Sequence, residues 1–510
     1  MYNLGVDLPS EHEGICTDGV PEPKTTTDVL IIGAGISGLA VAALLQRAGR
    51  SFQILEAATD LGGTWRDNTY PGCACDIPAP LYSFSFDQKP DWRSLFAGQA
   101  EILDYLHDVA NRRGLRDRIK FGAKVQHAEW VPAQAVWKVT TAAGGQYQAR
   151  FLVSAVGLLH HPVHPDLPGI ETFRGAAFHS ANWDHDLDLR GKRVVVIGTG
   201  ASAIQLVPAI VDRVAALTVF QRTPPWVVPK FDRPFDGRHQ RLARWFPPYR
   251  EYVRARLFWL HENRATGFIS DPTAMTQVKA LAEGMLQRQV PDPDLRARLT
   301  PDYDIGCKRL LISSDWYPTL TRPDVDVRTG EVRRVLADAV VGSDDVPAPA
   351  DVLIYGTGFD AHNNTTRMSI IGRDGVSLTE AWRDGNQAYL GTTVSGFPNM
   401  FVIAGPNTGL GHNSQIFMIE AQARYILNCL HRLGRRGADT LEVRADVQHV
   451  FNEWLQDRMP ATVWQSGGCR SWYQDPRSGR NTTLWPDTSI AFWRRTRVAR
   501  MSDYLLGNAH

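Results

Sequence analysis

The sequence predicts an α/β protein with two Rossmann-like dinucleotide-binding domains and a helical insertion. An apolar strand, a glycine-rich turn, a helix and a second strand follow one another at residues 28–56 and again at residues 192–224. After the second unit, residues 226–300 have the apolar spacing of helices. A chain of 510 residues is also too long for one hydrophobic core and is typical of two or three domains.

The first unit reads DVLIIGAGISGLAVAALLQRAGRSFQILE and contains Gly33, Gly35 and Gly38. Gly33 permits the tight turn, Gly35 lets the backbone approach a pyrophosphate, and Gly38 lets the helix pack closely on the strand. Glu56 ends the second strand, where a carboxylate accepts hydrogen bonds from a ribose diol and repels a 2′-phosphate. This unit therefore predicts a site for FAD or NAD.

The second unit repeats this geometry with Gly198, Gly200 and Ala203. Its second strand is followed by Arg222 rather than by an acid. A guanidinium at this position would pair with a 2′-phosphate through two hydrogen bonds, so the unit predicts an NADPH site. The alternative is that Arg222 is a solvated charge at a strand end, as many surface arginines are.

Two longer motifs carry a family resemblance. FRGAAFHSANWD, residues 173–184, fits the pattern F-x-G-x-x-x-H-x-x-x-W-(P/D), and GGTWRDNTYPGCACD, residues 62–76, fits a second pattern that ends in aspartate. With both motifs in order, the chain resembles the type I Baeyer-Villiger monooxygenases from about residue 28 to beyond residue 495. Trp183 and Asp184 favour this branch, because the related flavin-dependent N- and S-oxygenases usually end the fingerprint in tyrosine followed by a base.

The resemblance implies that FAD occupies the first site and NADPH the second. In this family NADPH reduces FAD, and the reduced flavin reacts with dioxygen to give a peroxyflavin. That species inserts one oxygen next to a ketone carbonyl and yields an ester or a lactone. A small-molecule ketone and dioxygen are therefore the expected partners.

The resemblance also implies roles for individual residues. Arg309 matches the active-site arginine, whose permanent charge would stabilise negatively charged oxygen. Asp76 matches the carboxylate that orients this arginine beside the cofactor. Lys308 matches a residue that contacts the 2′-phosphate, and Trp472 matches a tryptophan that closes over the nicotinamide nucleotide. Further cofactor contacts are expected from Thr64, Trp65, Val125 and Thr223.

Two other functions remain open at this point. The same cofactors could oxygenate nitrogen or sulfur, or the fold could serve a non-oxygenating, NADPH-binding sensor. The combination of Asp76, Lys308 and Arg309 argues against the sensor, because a binding module has no need of this cluster. His179 lies within the fingerprint ahead of the second unit, and we expect a structural rather than a chemical role for it. The sequence does not define the ketone.

Composition limits the partners and the location. Lys and Arg number 55 against 54 Asp and Glu, so no basic excess favours nucleic acid. The first residues have neither a basic start nor an apolar core, and no apolar run is long enough to span a bilayer. These features predict a cytoplasmic protein without a transmembrane segment. Nothing in the sequence sets the oligomeric state.

Cysteines and histidines suggest neither disulfides nor a metal. His160, His161 and His164 are close in sequence, but no second set of ligands accompanies them, so no metal is expected. The cysteines have no disulfide or zinc spacing, which fits a reducing compartment. They are Cys16, Cys73, Cys75, Cys307, Cys429 and Cys469.

The order of strands and breakers predicts a discontinuous arrangement of domains. One stretch within it, residues 241–260, combines aromatic and basic residues with helical spacing. Such a stretch either packs a helical insertion or lies on a membrane surface, and we favour packing. The predicted divisions are an N-terminal extension at 1–27, an FAD-binding domain at 28–160 and 346–510, an NADPH-binding domain at 161–225 and 301–345, and the helical insertion at 226–300.

Overall fold

The fold is that of a computed structural model, which describes residues 25–363 and 365–508. Most of the predicted N-terminal extension, together with Cys16, lies outside the described residues. Residues 25–27 are described, and they begin the first strand.

Twenty strands are present within the described residues. In chain order they are β1 (Thr25–Ile32), β2 (Phe52–Leu55), β3 (Ile119–Lys120), β4 (Val125–Val131), β5 (Val136–Thr141), β6 (Gln146–Ser154), β7 (Ala176–His179), β8 (Arg193–Ile197), β9 (Ala216–Gln221), β10 (Val227–Val228), β11 (Leu311–Ile312), β12 (Val325–Thr329), β13 (Val332–Val335), β14 (Ala339–Gly342), β15 (Pro347–Pro349), β16 (Val352–Tyr355), β17 (Ser369–Ile371), β18 (Met400–Val402), β19 (Thr440–Val443) and β20 (Tyr504–Gly507).

The α-helices of the same described part lie between groups of these strands, and short 3₁₀ turns also occur. They are α1 (Ile36–Arg47), α2 (Thr64–Asp67), α3 (Gln99–Arg112), α4 (Ala203–Ile210), α5 (Gly237–Trp245), α6 (Pro247–Glu262), α7 (Ala265–Ile269), α8 (Thr276–Gln289), α9 (Pro293–Arg298), α10 (Trp316–Leu320), α11 (Leu378–Ala381), α12 (Gln415–Arg435), α13 (Ala445–Arg458), α14 (Val463–Ser466) and α15 (Ser489–Thr496).

The first sheet is built around β1. Its order is β17-β4-β5-β6-β1-β2-β3, and β18 also pairs with β6. β1 is parallel to β2 and β6, whereas β4, β5 and β6 form an antiparallel meander. Val29 and Ile31 lie in the core beneath α1 and α12, while Leu30 and Ile32 lie in a second core on the other face. Burial on both faces explains why the second half of this strand, residues 29–32, is apolar, whereas its first four residues are polar and less buried.

The second sheet is parallel throughout, in the order β12-β9-β8-β16-β7. It includes β16, so the sheet extends beyond residue 345, where the sequence placed its end. β16 is apolar and buried along its whole length, and it pairs in parallel with both β8 and β7, which places it inside this sheet. Just before it, Asp351 accepts hydrogen bonds from the Arg193 backbone at 2.8 Å and from its guanidinium at 2.6 Å. The two sheets confirm the predicted α/β class with two Rossmann-like units.

The insertion contains helices α5 to α9. The inner face of α6 packs against the first unit: Arg254 donates hydrogen bonds to the carbonyls of Pro80 and Ser83 at 2.8 and 2.7 Å, and the Phe258 ring lies 4.9 Å from the Phe417 ring. The expected packing of residues 241–260 is thus realised on one face only. Across residues 25–363 and 365–508, no helix combines the length and apolar character needed to cross a membrane.

Candidate active site

The first glycine loop joins β1 to α1 in a shape that only glycine permits. Gly33 has a φ of +104°, and a Cβ on it would lie 2.6 Å from the Ala155 carbonyl oxygen. A Cβ on Gly38 would lie 1.9 Å from the Gly33 carbonyl oxygen, so the helix could not pack as it does. At Gly35 the nearest atom to an added Cβ is the Gly63 Cα at 3.6 Å. That distance is an ordinary van der Waals contact, so Gly35 and Gly63 bring two stretches of bare backbone together beside the start of α1, where a pyrophosphate would bind.

Glu56 lies over this loop and is buried. One carboxylate oxygen accepts a hydrogen bond from the Ala34 N–H at 2.7 Å, and the other accepts from the Ala58 N–H at 2.9 Å and from Arg66 at 3.0 Å. A carboxylate has about four acceptor positions, so one remains for a ribose hydroxyl. The geometry fits the predicted FAD site.

Three further predicted cofactor-binding residues lie on two elements, α2 and β4. Thr64 is exposed at the start of α2, and Trp65 beside it is buried and donates a hydrogen bond to the Tyr82 hydroxyl at 3.2 Å. Val125 is buried at the start of β4. Their contacts with the cofactor remain predictions.

The second glycine loop has the same geometry between β8 and α4. Gly198 has a φ of +108°, and a Cβ on it would lie 2.4 Å from the Gly356 carbonyl oxygen. A Cβ on Gly200 would meet no atom within 4 Å, which leaves open space above the loop. Ala203 is fully buried at the start of α4. This loop also fits a pyrophosphate.

Two cations lie at the end of the second unit. Arg222 is exposed, and its guanidinium is 3.5 Å from Glu331, a partner that the sequence did not indicate. Burial and the charge of Arg222 both lower the pKa of Lys308, so the two side chains lie within electrostatic reach of each other. Next to Arg222, the Thr223 carbonyl accepts a hydrogen bond from Thr199 at 3.2 Å. An exposed pair such as Arg222 and Glu331 is weak, and a phosphate dianion would compete with it.

Asp76 and Arg309 form a bidentate ion pair. The Arg309 Nε and Nη2 each donate a hydrogen bond to a different Asp76 oxygen, both at 2.7 Å. The Asp76 carboxylate holds the pKa of Arg309 well above its ordinary value, against the opposite effect of burial. Beside the pair, burial raises the pKa of the Tyr473 phenol to about 12, so this hydroxyl keeps its proton at neutral pH. The site thus contains a fixed cation in one orientation.

Gln205 holds the Asp76 loop against the second unit, a role that sequence reasoning missed. Its Oε1 accepts hydrogen bonds from the Tyr70 hydroxyl at 3.0 Å and the Ala74 N–H at 3.2 Å, and its Nε2 donates to the Ala74 carbonyl at 3.0 Å. Gln205 is a polar residue within the otherwise apolar helix α4, and this was the available signal.

The C-terminal tail is covalently tied to the Arg309 loop, because Cys307 and Cys469 form a disulfide. The expectation of unpaired cysteines was therefore wrong, since their 162-residue separation gave no recognisable spacing, and the argument for a reducing compartment loses its basis. Beyond Cys469, the ring of Trp472 is partly exposed. The backbone carbonyl of Trp472 accepts a hydrogen bond from His362 at 3.0 Å. Its closure over a nucleotide remains a prediction.

The fingerprint segment forms the edge of the second sheet. A Cβ on Gly175 would lie 2.3 Å from the Asp351 carbonyl oxygen, so glycine is required there. His179 is buried in β7, and its Nδ1 accepts a hydrogen bond from the Ala181 N–H at 3.1 Å. Burial and the nearby His164 lower the pKa of His179 to about 4, so it is neutral at pH 7. These contacts suit a structural role.

One of the three histidines upstream of the fingerprint, His160, contacts an acidic side chain. His160 lies 3.2 Å from the Asp67 carboxylate. Within the part of the chain that the structure describes, no group of three or more His, Cys, Asp or Glu side chains could hold a metal ion.

Two glycine-rich dinucleotide loops, a fixed arginine–carboxylate pair and two cations beside the second loop define a flavin- and NADP-dependent oxidoreductase. A family model described as pyridine nucleotide-disulphide oxidoreductase matches residues 30–234. A Baeyer-Villiger monooxygenase of Pseudomonas aeruginosa is 45% identical over 491 residues, which cover 96% of this chain and 93% of that relative. The chain belongs to the Baeyer-Villiger monooxygenase family.

Solved structures agree with this assignment. A closed crystal structure of cyclohexanone monooxygenase superposes with a TM-score of 0.85 at 29% identity, covering 96% of this chain and 100% of the other. A complex of OTEMO with FAD and NADP has a TM-score of 0.85 at 27% identity, with the same coverage of 96% and 100%.

Proposed function

We propose that the protein is an FAD-containing, NADPH- and dioxygen-dependent monooxygenase that inserts one oxygen atom next to a ketone carbonyl. The observation that carries the proposal is the bidentate pair of Arg309 and Asp76. Asp76 follows α2, whose N-cap Gly63 lies against Gly35 of the first glycine loop, and the Asp76 loop is bonded to Gln205 in α4 of the second unit. The fixed cation is thus tied to both dinucleotide units.

The net reaction consumes a ketone, dioxygen, NADPH and a proton, and it yields an ester or lactone, NADP⁺ and water. FAD held by the first glycine loop and Glu56 would supply the redox chemistry between NADPH and dioxygen. The protein's own contribution is binding, orientation and electrostatic stabilisation.

Arg309 is the group that faces developing negative charge. Its guanidinium stays protonated at any working pH, so it can stabilise an oxygen anion during attack on the ketone and in the tetrahedral adduct that follows. Asp76 fixes the plane of the guanidinium through two hydrogen bonds and so lowers the cost of reorganisation at the moment of reaction.

The remaining residues hold the two nucleotides. We infer that the first glycine loop and Glu56 bind the pyrophosphate and ribose of FAD, and that Arg222 and Lys308 bind the 2′-phosphate of NADPH. Support comes from the open space at Gly200 and from the electrostatic proximity of the two cations.

The proposal is tested with purified, FAD-loaded protein, NADPH, ¹⁸O₂ and a panel of cyclic and aryl-alkyl ketones. We expect ketone-dependent oxidation of NADPH and an ester that contains one ¹⁸O atom. A thioether offered as substrate in the same assay distinguishes the alternative function, oxygenation of nitrogen or sulfur, from the oxygenation of a ketone. Sulfoxide without any ester from any ketone would identify an S-oxygenase, and NADPH binding without product would favour a sensor.

Arg309→Lys keeps a positive charge but loses the bidentate fork, and we expect ester formation to fall about 100-fold. The matched control is Arg322→Lys, because Arg322 makes a similar bidentate pair with Asp324 at 3.0 and 3.0 Å on the surface. Equal rates in the two variants would show that the bidentate fork of Arg309 is not needed for the reaction.

A further inference from the structure

The insertion presents a row of aromatic and apolar side chains to solvent. Trp245 is 80% exposed, Phe246 54%, Tyr252 62%, Trp259 53% and Leu260 51%. Tyr252 and Trp259 are seven residues apart on α6 and therefore lie on one side of that helix. Trp245 and Phe246 stand at the corner where α5 meets α6. We call this set the outer face.

The outer face is not needed to attach the insertion. The opposite side of α6 already makes that attachment through the half-buried Arg254, the ring of Phe258 and the buried carboxylate of Glu262. Large apolar side chains that no core requires, gathered on one surface, mark an interaction site.

The charge of the same segment is one-sided. Residues 237–260 contain six arginines and one glutamate, a net charge of +5, whereas the whole chain carries only +1. Arg238, Arg241 and Arg256 are exposed beside the outer face. Arg244 is exposed as well and pairs with Asp91 at 2.9 Å. Tryptophan, tyrosine and arginine on a helical surface are the residues that favour the headgroup region of an anionic bilayer.

We propose that the outer face of α5 and α6 docks the protein on an anionic phospholipid bilayer. The aromatic rings enter the boundary between headgroups and acyl chains, and the exposed arginines contact lipid phosphates. A second copy is a poorer occupant, because symmetric contact would bring two segments of like charge together. Docking through this face would present the enzyme to apolar ketones dissolved in the bilayer.

The experiment is sedimentation of the full-length, FAD-loaded protein with vesicles. One set contains phosphatidylcholine alone, and the other contains equal parts of phosphatidylcholine and phosphatidylglycerol. We expect binding to the anionic vesicles only, and weaker binding as salt is raised. The double variant Trp245→Ser with Trp259→Ser, and separately Arg241→Gln with Arg256→Gln, should each reduce the affinity at least about tenfold.

The matched control is Val450→Ser, which removes another apolar side chain, 67% exposed on α13, and should bind like the unaltered protein. Quenching of tryptophan fluorescence by brominated lipid should decrease in the double tryptophan variant. Turnover of a water-soluble ketone without vesicles reports whether each variant is folded, and it should not change.

Two results would overturn the proposal. One is the absence of binding to anionic vesicles, or binding that the tryptophan and arginine variants leave unchanged. The other is a dimer in analytical ultracentrifugation that the same variants dissociate while vesicles recruit nothing, which would assign the outer face to contact between two copies.

Discussion

Glu262 is predicted to fasten the helical insertion to the first unit. Its carboxylate is buried at the end of α6 and accepts hydrogen bonds from Asn413 at 2.8 Å, from the Ile490 N–H at 2.9 Å and from the Ser489 hydroxyl. Asn413 lies just before α12, and Ser489 and Ile490 begin α15. Replacement by glutamine keeps the size of the side chain and removes the charge.

The free energy by which Glu262 stabilises this attachment follows from the pKa of its carboxyl group. Burial acts to raise it, but His412, whose Nε2 lies 3.6 Å from the carboxylate, and the hydrogen bonds from Ser489, Ile490 and Asn413 prevail and lower the pKa from 4.5 to about 2. Such a difference corresponds to about 3 kcal/mol of stabilisation at neutral pH. Because the folded-state pKa is the lower one, the stabilisation is complete above about pH 4.5 and is lost as the pH falls towards 2.

The assay is hydrogen–deuterium exchange resolved by peptide. A local loss of about 3 kcal/mol raises exchange about 100-fold, and in Glu262→Gln we expect this in the last turn of α6, before α12 and at the start of α15. Glu283→Gln is the control, since Glu283 is exposed and lies 3.9 Å from Lys279. The difference in urea midpoint from the unaltered protein should also shrink between pH 7 and pH 3. Exchange that matches the control, or a pH-independent difference, would refute the reasoning.

Three further predictions concern the cofactor loops and the tail. Gly198→Ala should prevent stable folding, because Gly198 has a positive φ and an added Cβ would lie 2.4 Å from the Gly356 carbonyl oxygen, whereas Gly200→Ala should fold and raise the KM for NADPH. Circular dichroism measures the stability of the two variants and steady-state kinetics their KM, and equal stability would contradict the assignment. Arg222→Gln should weaken NADPH binding about tenfold or more and leave NADH binding unchanged, as measured by titration; an equal loss for both nucleotides would argue against a 2′-phosphate contact. Replacing Cys307 and Cys469 by alanine should lower stability by about 2–4 kcal/mol in urea unfolding, and a midpoint identical to that of the oxidised protein would show that the bond adds nothing.

The sequence by itself determined the features that depend on a few neighbouring residues. The positive φ values of Gly33 and Gly198 are local requirements of a turn between strand and helix, and the order of apolar residues around them predicts both units. The roles predicted for Glu56 and Arg222 follow from the position of each residue at the end of its unit's second strand. The two motifs also indicated the pairing of Asp76 with Arg309, but through family resemblance and not through spacing, because 233 residues separate them.

Only the tertiary structure decided which distant residues meet. The clamp of Gln205 on the Asp76 loop, the Cys307–Cys469 disulfide and the extension of the second sheet to β16 all join segments far apart in sequence. Likewise, residues 241–260 have aromatic side chains on both sides of a helix, and the sequence cannot tell which side is covered. Local backbone geometry is encoded in adjacent residues, whereas such contacts depend on how sheets and insertion pack, which is a property of the whole chain.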